Sequence, residues 1–132
     1  MDDKKGSELE GLFVDDGDDA VDAVLRATLE KFVGITRDGK TVPKPAFLKL
    51  SDPQKILIAL LARLAKVRLN IPGYVREGTA DELASECIVP VKSCREYLSR
   101  LKARKLLEKA DSGYFVPNWA VSNVAAEISK SS

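Results

Sequence analysis

Apolar residues are densest between residues 51 and 69, and their distribution predicts a long central helix there. They surround most of the helix circumference, and they are Ile56, Leu57, Ile58, Leu60, Leu61, Leu64, Ala65 and Leu69. The narrow polar stripe that remains consists of Lys55, Arg63 and Lys66. Ser51 and Gln54 have the spacing of a capping box, which marks the start of the helix. A helix that is apolar around most of its circumference lies at the centre of a core or in a dimer interface.

Two shorter amphipathic helices are predicted near the ends of the chain, over residues 20–33 and 119–129. Asp18 or Asp19 can cap the first of them, and Gly34 supplies its left-handed stop. The apolar face of the first helix is formed by Val21, Val24, Leu25, Thr28, Leu29 and Phe32. The apolar face of the last helix is formed by Trp119, Val121, Val124, Ala125 and Ile128. We expect Trp119 to anchor that helix by packing against the core.

The segments on either side of the central helix are predicted to be connectors. In the basic connector 35–50, residues 35–37 and 40–42 form a minimal hairpin, because the Asp-Gly pair between them fits a type I′ turn. Residues 70–78 form a loop, in which Tyr74 and Val75 are predicted to make a short strand.

The pattern of residues 79–117 predicts two helices followed by a hairpin. Thr79 and Glu82 form a second capping box. The predicted elements are a helix from Thr79 to Cys87, a helix from Pro90 to about Lys105, and strands at 106–109 and 114–116 around a turn at 111–113. The buried face of the longer helix is predicted to consist of Val91, Cys94, Tyr97, Leu98 and Leu101.

This order of elements resembles a winged helix-turn-helix. The resemblance is carried by Thr79-Ala-Asp-Glu82-Leu83-Ala84, Val89, Arg95-Glu-Tyr97-Leu98, Leu101, Leu106-Leu107 and the Asp111–Gly113 hairpin, and with the central helix it covers about residues 51–117. It implies a mainly α fold with a small β-hairpin wing, of the prokaryotic DNA-binding type, with extra N-terminal and C-terminal helices. The chain is then divided into an acidic disordered tail (1–19), an N-terminal helix with a basic connector (20–50), and the winged domain with its C-terminal helix (51–132).

The resemblance also implies a binding site for double-stranded DNA, because the second helix of such a unit lies in the major groove. The residues expected to face outward from helix 90–105 are Lys92, Ser93, Arg95, Glu96, Ser99, Arg100 and Lys102, and Lys109 is the cation of the wing. Lysine and arginine suit guanine or phosphate, and serine suits phosphate or several bases. We expect Glu96 to pair with Lys92 and Arg100, each four residues away, rather than to accept a hydrogen bond from cytosine N4.

Ile88 stands in the turn between the two helices, where similar sequences often carry glycine. A β-branched residue is disfavoured in a left-handed turn, so the sequence predicts a distorted turn at this position.

The net charge of +1 averages two unlike parts of the chain. Residues 1–22 hold nine acidic and two basic side chains, whereas residues 23–132 hold 11 acidic and 19 basic ones. An acidic tail on a basic body points to nucleic acid, and we expect the tail to compete with DNA for the body rather than only to aid solubility. The basic residues are concentrated between residues 23 and 78, so the predicted DNA footprint extends onto Lys44, Lys49 and Arg76.

Composition removes several other classes of function. The chain has no histidine, which excludes histidine-dependent triads, histidine acid–base chemistry and histidine-ligated zinc. Cys87 and Cys94 are too few for a zinc site and are interpreted as core thiols, with a redox switch as the alternative. We therefore expect no enzymatic activity, no metal and no cofactor. The longest purely apolar run has seven residues, far below the ~20 that span a bilayer, so a cytoplasmic protein without a membrane partner is predicted.

Two functions remain after these exclusions. The first is a small transcriptional regulator that binds double-stranded DNA as a homodimer, with helix 20–33 or the last helix contributing to the dimer interface. The second is a protein-protein interaction module, an assembly or scaffold subunit that uses the apolar helices 51–69 and 119–129. The second is motivated by Glu96 and by residues 79–117, which hold seven basic and six acidic side chains.

Overall fold

The computed structural model describes residues 18–130, with side chains from residue 20 onward. The elements are α1 (Asp18–Leu29), β1 (Val33–Ile35), β2 (Thr41–Pro43), α2 (Pro45–Leu48), α3 (Asp52–Arg68), α4 (Ala80–Cys87), α5 (Val91–Ala103), β3 (Glu108–Ala110), β4 (Gly113–Phe115), a 3₁₀ turn (Asn118–Ala120) and α6 (Val121–Ser129). The prediction of a mainly helical chain with a small β-hairpin is confirmed. The predicted acidic tail lies outside the described residues, apart from the two residues that open α1.

Helix α3 forms the centre of the core, and its predicted start is confirmed. The Ser51 hydroxyl accepts from the Gln54 N–H at 3.4 Å, and the Gln54 side chain accepts in return from the Ser51 N–H at 3.1 Å. Helices α1, α4, α5 and α6 all pack against α3. Six of its residues have at most 2% of their surface exposed, and they are Ile56, Leu57, Ile58, Leu60, Leu61 and Ala62. The predicted polar stripe is wrong at Lys66, which is 8% exposed.

Helix α1 ends earlier than the sequence pattern predicts, because the chain turns into a hairpin. Gly34 is not a helix stop but the middle residue of β1, where it pairs with Val42 of β2. The predicted hairpin is confirmed, with its strands displaced by one or two residues. Its turn is not type I′. The Gly39 N–H donates to the Thr36 carbonyl at 2.9 Å with Gly39 alone at positive φ (96°), which is the type I turn plus left-handed glycine of longer hairpin loops.

The turn between α4 and α5 keeps the geometry that a glycine would give it. The predicted capping box at the start of α4 is present, with Thr79 and Glu82 bonded in both directions. At its end Ile88 adopts a left-handed conformation (φ 57°, ψ 51°), and the Val89 N–H donates to the Ala84 carbonyl at 3.0 Å. The predicted distortion is therefore wrong, because the isoleucine itself takes up the strained conformation.

Helix α5 follows, and its buried residues are Cys94, Leu98 and Leu101. Val91 was predicted to be buried with them, but it is the first residue of α5 and is 37% exposed.

Strands β3 and β4 form the second hairpin, one or two residues away from their predicted bounds. Gly78 adds a third extended segment to it. The Gly78 N–H donates to the Tyr114 carbonyl at 2.8 Å, and the Tyr114 N–H donates to the Gly78 carbonyl at 2.9 Å. The short strand predicted at Tyr74 and Val75 is wrong, because the extended residue that pairs is Gly78.

Helix α6 closes the core by packing on α1 and α3. Its predicted apolar face is confirmed at Val121, Val124 and Ile128, and the Gln54 amide donates to the Ile128 carbonyl at 3.2 Å. Trp119 is 47% exposed, so its prediction as a packing anchor is wrong. The tryptophan lies in the 3₁₀ turn before α6, where Ala120 takes the buried position. Among the described residues, no helix is both long and apolar enough to cross a bilayer.

Candidate nucleic-acid interface

The side of α5 that faces away from the core carries most of the predicted binding residues. Ser93 is half-buried, and the others are exposed, namely Lys92, Arg95, Glu96, Ser99, Arg100 and Lys102. The three buried residues of α5 fix this orientation, because they hold the opposite side of the helix against α3 and α4. The structure therefore places the predicted helix residues on one solvent-facing surface.

The cations on this surface are mostly free of internal partners. Arg95 forms an exposed ion pair with Asp81 at 3.6 Å, a contact typical of weak surface pairs. Within residues 20–130, no carboxylate lies at ion-pair distance from Lys92, Arg100 or Lys102. The expected pairing of Glu96 with Lys92 and Arg100 is consequently not present, and among the described residues no cation lies at ion-pair distance from the exposed Glu96 carboxylate.

Lys109 lies in the second hairpin and lines two grooves that also contain residues of α5. It lines one groove with Arg95, where Asp81 and Asp111 supply the opposite charge. It also lines a second groove with Lys102 and Trp119. The Lys109 ammonium lies 5.5 Å from the centre of the Tyr114 ring, which holds it on the outer face of the hairpin.

The second groove contains residues that the sequence analysis missed. Trp119 lies there beside Lys102, Lys105 and Lys109, in a space of about 390 Å³ that Glu108 also borders. An exposed indole among lysines is typical of proteins that bind single-stranded nucleic acid, in which unpaired bases stack on the ring and the ammonium groups bind phosphate. Only the charge of Lys105 was visible in the sequence; the exposure of Trp119 is set by the 3₁₀ turn.

Other cations of the chain have structural partners. Arg104 forms a two-pronged ion pair with Glu127 of α6, at 2.6 and 3.1 Å, and this hydrogen bonding lowers the pKa of the glutamate. Lys44 donates to the Glu30 carbonyl, and the Arg76 guanidinium stacks over the Phe115 ring at 4.0 Å. Two of the three residues in the predicted extended footprint are thus engaged inside the fold.

The cysteines are buried and free, which confirms their interpretation as core thiols. Burial raises the pKa of Cys87 to about 12, and burial also raises the pKa of Cys94. A thiol held protonated in the core is a poor nucleophile. We expect neither cysteine to react with an aromatic disulfide reagent in the native protein, and both to react once guanidinium chloride unfolds it. Rapid native-state reaction of either one would reopen the redox alternative.

No protein-family model matches this chain, and no curated protein and no solved structure matches it either.

Proposed function

We propose that this chain is a double-stranded DNA-binding protein of the winged helix-turn-helix type, a small transcriptional regulator whose helix α5 enters the major groove. The observation that carries the proposal is the solvent-facing surface of α5, where Lys92, Arg100 and Lys102 have no carboxylate at ion-pair distance in the described chain. Cations left unpaired on one face of a helix are available to phosphates and guanine edges.

The order of the elements supports this proposal. A short capped helix, a left-handed turn and a longer exposed helix precede a two-stranded hairpin, as in modules that read DNA with the second helix. The hairpin presents Lys109 next to α5, on the side where a phosphate backbone would pass. In a homodimer, which is part of the proposal, two copies of α5 would read half-sites about 34 Å apart.

Salt dependence tests the proposal most directly. Each phosphate contact removed lowers the slope of log K against log salt by about 1, so Arg100→Gln with Lys102→Gln should lower it by about 2. The measurement is fluorescence anisotropy of a labelled random-sequence duplex pool across a salt series. The matched control is Lys31→Gln with Arg37→Gln, two exposed cations outside the helix-turn-helix. Equal slopes for both double variants and the wild type would exclude α5 as the DNA-binding element.

Trp119 offers a second readout on the unmodified protein, because it is the single tryptophan of the chain. Its exposed indole should emit as a solvated tryptophan, and the emission should shift to the blue when bound duplex DNA removes water from the groove beside Lys102 and Lys109. Titrating the wild type with duplex and following its intrinsic fluorescence checks this. An emission spectrum that stays unchanged while anisotropy reports binding would place Trp119 outside the interface.

The second candidate function is a protein-interaction module, and a different surface favours it. Helices α3 and α6 offer little docking surface, since most of their apolar residues are buried in the core. Ile88 is 88% exposed and Val91 is 37% exposed, and both lie at the turn that precedes α5. Thymine methyl groups or a partner protein could cover these two side chains. A partner that is retained after nuclease treatment and lost with Ile88→Ser would favour the protein-interaction module.

A further inference from the structure

A cavity of about 390 Å³ lies between the β1–β2 hairpin, α3 and the loop that follows α3. None of its lining residues belongs to α5, and the DNA-binding proposal does not involve it. Part of its wall is apolar, formed by Val33, Phe47 and Ile58. Its polar lining includes Lys66, Tyr74 and Glu86. A mostly apolar cavity of this size with a few polar groups is typical of small-molecule sites.

Lys66 is the unusual residue of this cavity. Its side chain belongs to the buried part of α3, with 8% of the residue exposed, and burial lowers the pKa of its ammonium. The ammonium lies 4.7 Å from the centre of the Tyr74 ring. In the part of the chain that the structure describes, it has no carboxylate at ion-pair distance and no hydrogen-bond acceptor. The nitrogen itself still reaches solvent, since no buried side-chain nitrogen or oxygen among the described residues lacks a hydrogen-bond partner. The stem is therefore covered, while the ammonium remains open to the cavity.

Glu86 lines the same cavity and its charge acts on Lys66 from beyond ion-pair distance, but its carboxylate is bound by Arg63. The Arg63 guanidinium contacts the Glu86 carboxylate at 2.5 and 3.4 Å. The same guanidinium donates to the Glu77 carbonyl at 2.8 Å, which fixes its position. The charges of Glu86 and Arg63 act on Lys66 in opposite directions, and the lining carries the two ammonium groups of Lys66 and exposed Lys40 against this one paired carboxylate.

Tyr74 closes one side of the cavity against the hairpin turn. Its ring packs so closely on Gly39 that a Cβ at that position would lie 2.3 Å from a ring carbon. Its hydroxyl donates to the Asp38 carbonyl at 3.3 Å. The ring is thus held in place over the Lys66 ammonium, and together they form a fixed cationic end to an otherwise apolar space.

We propose that this cavity binds a small organic monocarboxylate, whose carboxylate pairs with Lys66 and whose apolar body packs against Val33, Phe47 and Ile58. Of the two lysines that line the cavity, only Lys66 is a buried residue, whereas Lys40 is exposed at the rim, so a ligand with a single negative charge fits the cavity. The apolar wall excludes a ligand that is charged throughout.

The test is an amide-resolved NMR titration of the full chain with benzoate, phenylacetate and hexanoate, each compared with its neutral amide. We expect the carboxylates to shift the backbone amides of residues 33, 39–41, 58 and 59, with Kd values of about 1 mM for ligands of so few atoms. The matching amides should bind at least tenfold more weakly. The proposal is overturned if no carboxylate shifts these amides at ten times that concentration, or if carboxylates and amides bind equally well.

Two lysine variants test whether the ammonium of Lys66 binds the ligand carboxylate. Lys66→Met keeps the length of the apolar stem and removes the ammonium, so it should weaken carboxylate binding at least tenfold while leaving amide binding unchanged. Lys31→Met removes an exposed cation outside the cavity and should bind as the wild type does. Equal carboxylate binding by Lys66→Met and the wild type would also overturn the proposal. The comparison of carboxylates with amides on the wild type stands even if Lys66→Met folds poorly.

Discussion

Replacing Gly113 by alanine is expected to destabilise the fold by about 2–4 kcal/mol, from backbone strain and the loss of up to two hydrogen bonds. Gly113 has a φ of 138°, a conformation that side chains rarely adopt. A Cβ there would lie 2.6 Å from the Gly78 carbonyl oxygen and 3.0 Å from the Thr79 nitrogen. Both are backbone atoms, so relief requires separating Gly78 from Tyr114 and disturbing the cap of α4.

Urea unfolding followed by circular dichroism measures this effect, with Gly34→Ala as the matched control. Gly34 lies in β1, has an ordinary φ, and has no atom within 4 Å of a Cβ added to it. The control should change the free energy of unfolding by no more than about 0.5 kcal/mol. Equal stability of the two variants would mean that the second hairpin is not fastened to the segment before α4.

Replacing Ile88 by glycine is expected to stabilise the fold by about 1–2 kcal/mol, the cost of a left-handed conformation for a residue with a Cβ. Few contacts are lost in exchange, because Ile88 is 88% exposed. The turn already has the hydrogen bonds of a helix end that usually takes glycine, with Val89 bonded to Ala84. Glycine therefore fits the existing backbone without any rearrangement.

A graded series separates backbone strain from side-chain contacts. Ile88→Asn should give a smaller gain than glycine, since asparagine tolerates the left-handed region, and Ile88→Val should give none. Thermal and urea unfolding of the three variants provide the order. A loss of stability in Ile88→Gly would show that the left-handed backbone of Ile88 is not strained. If the stabilised glycine variant binds DNA or a partner more weakly, the strained isoleucine is retained for contact rather than for folding.

The helices of the core were predictable because their signals are local. The capping boxes at Ser51 and Thr79 involve residues three positions apart, so neither needs the rest of the fold to be recognised. The end of α1 was not predictable in this way. Gly34 carries a typical stop signal, but pairing with Val42 draws it into a strand. Tertiary pairing overrides a local preference of that size.

The exposure of single residues depends on neighbours that are distant in sequence, and the prediction of the site fails at such residues. Val91 and Trp119 are apolar residues at helical spacing, yet Val91 is the first residue of its helix and Trp119 lies in the 3₁₀ turn, and both are exposed. At Lys66 the error is the opposite one. The pattern predicts an exposed lysine, but Tyr74 and the hairpin cover it. The surface of α5 was predictable because its own buried residues determine which side remains outside.

The bond between Gln54 and Ile128 and the packing of α1 on α6 have a consequence for how the chain folds. Helices α4 and α5 and the β3–β4 hairpin make contacts between near neighbours in sequence, which form quickly. Contact between α1 and α6 closes a loop of about a hundred residues. The chain must lose the conformational entropy of that loop before the contacts between the two helices form. The two end helices should therefore dock late, around an α3 that the middle of the chain has already organised, and they should be the first elements to detach in native-state hydrogen exchange.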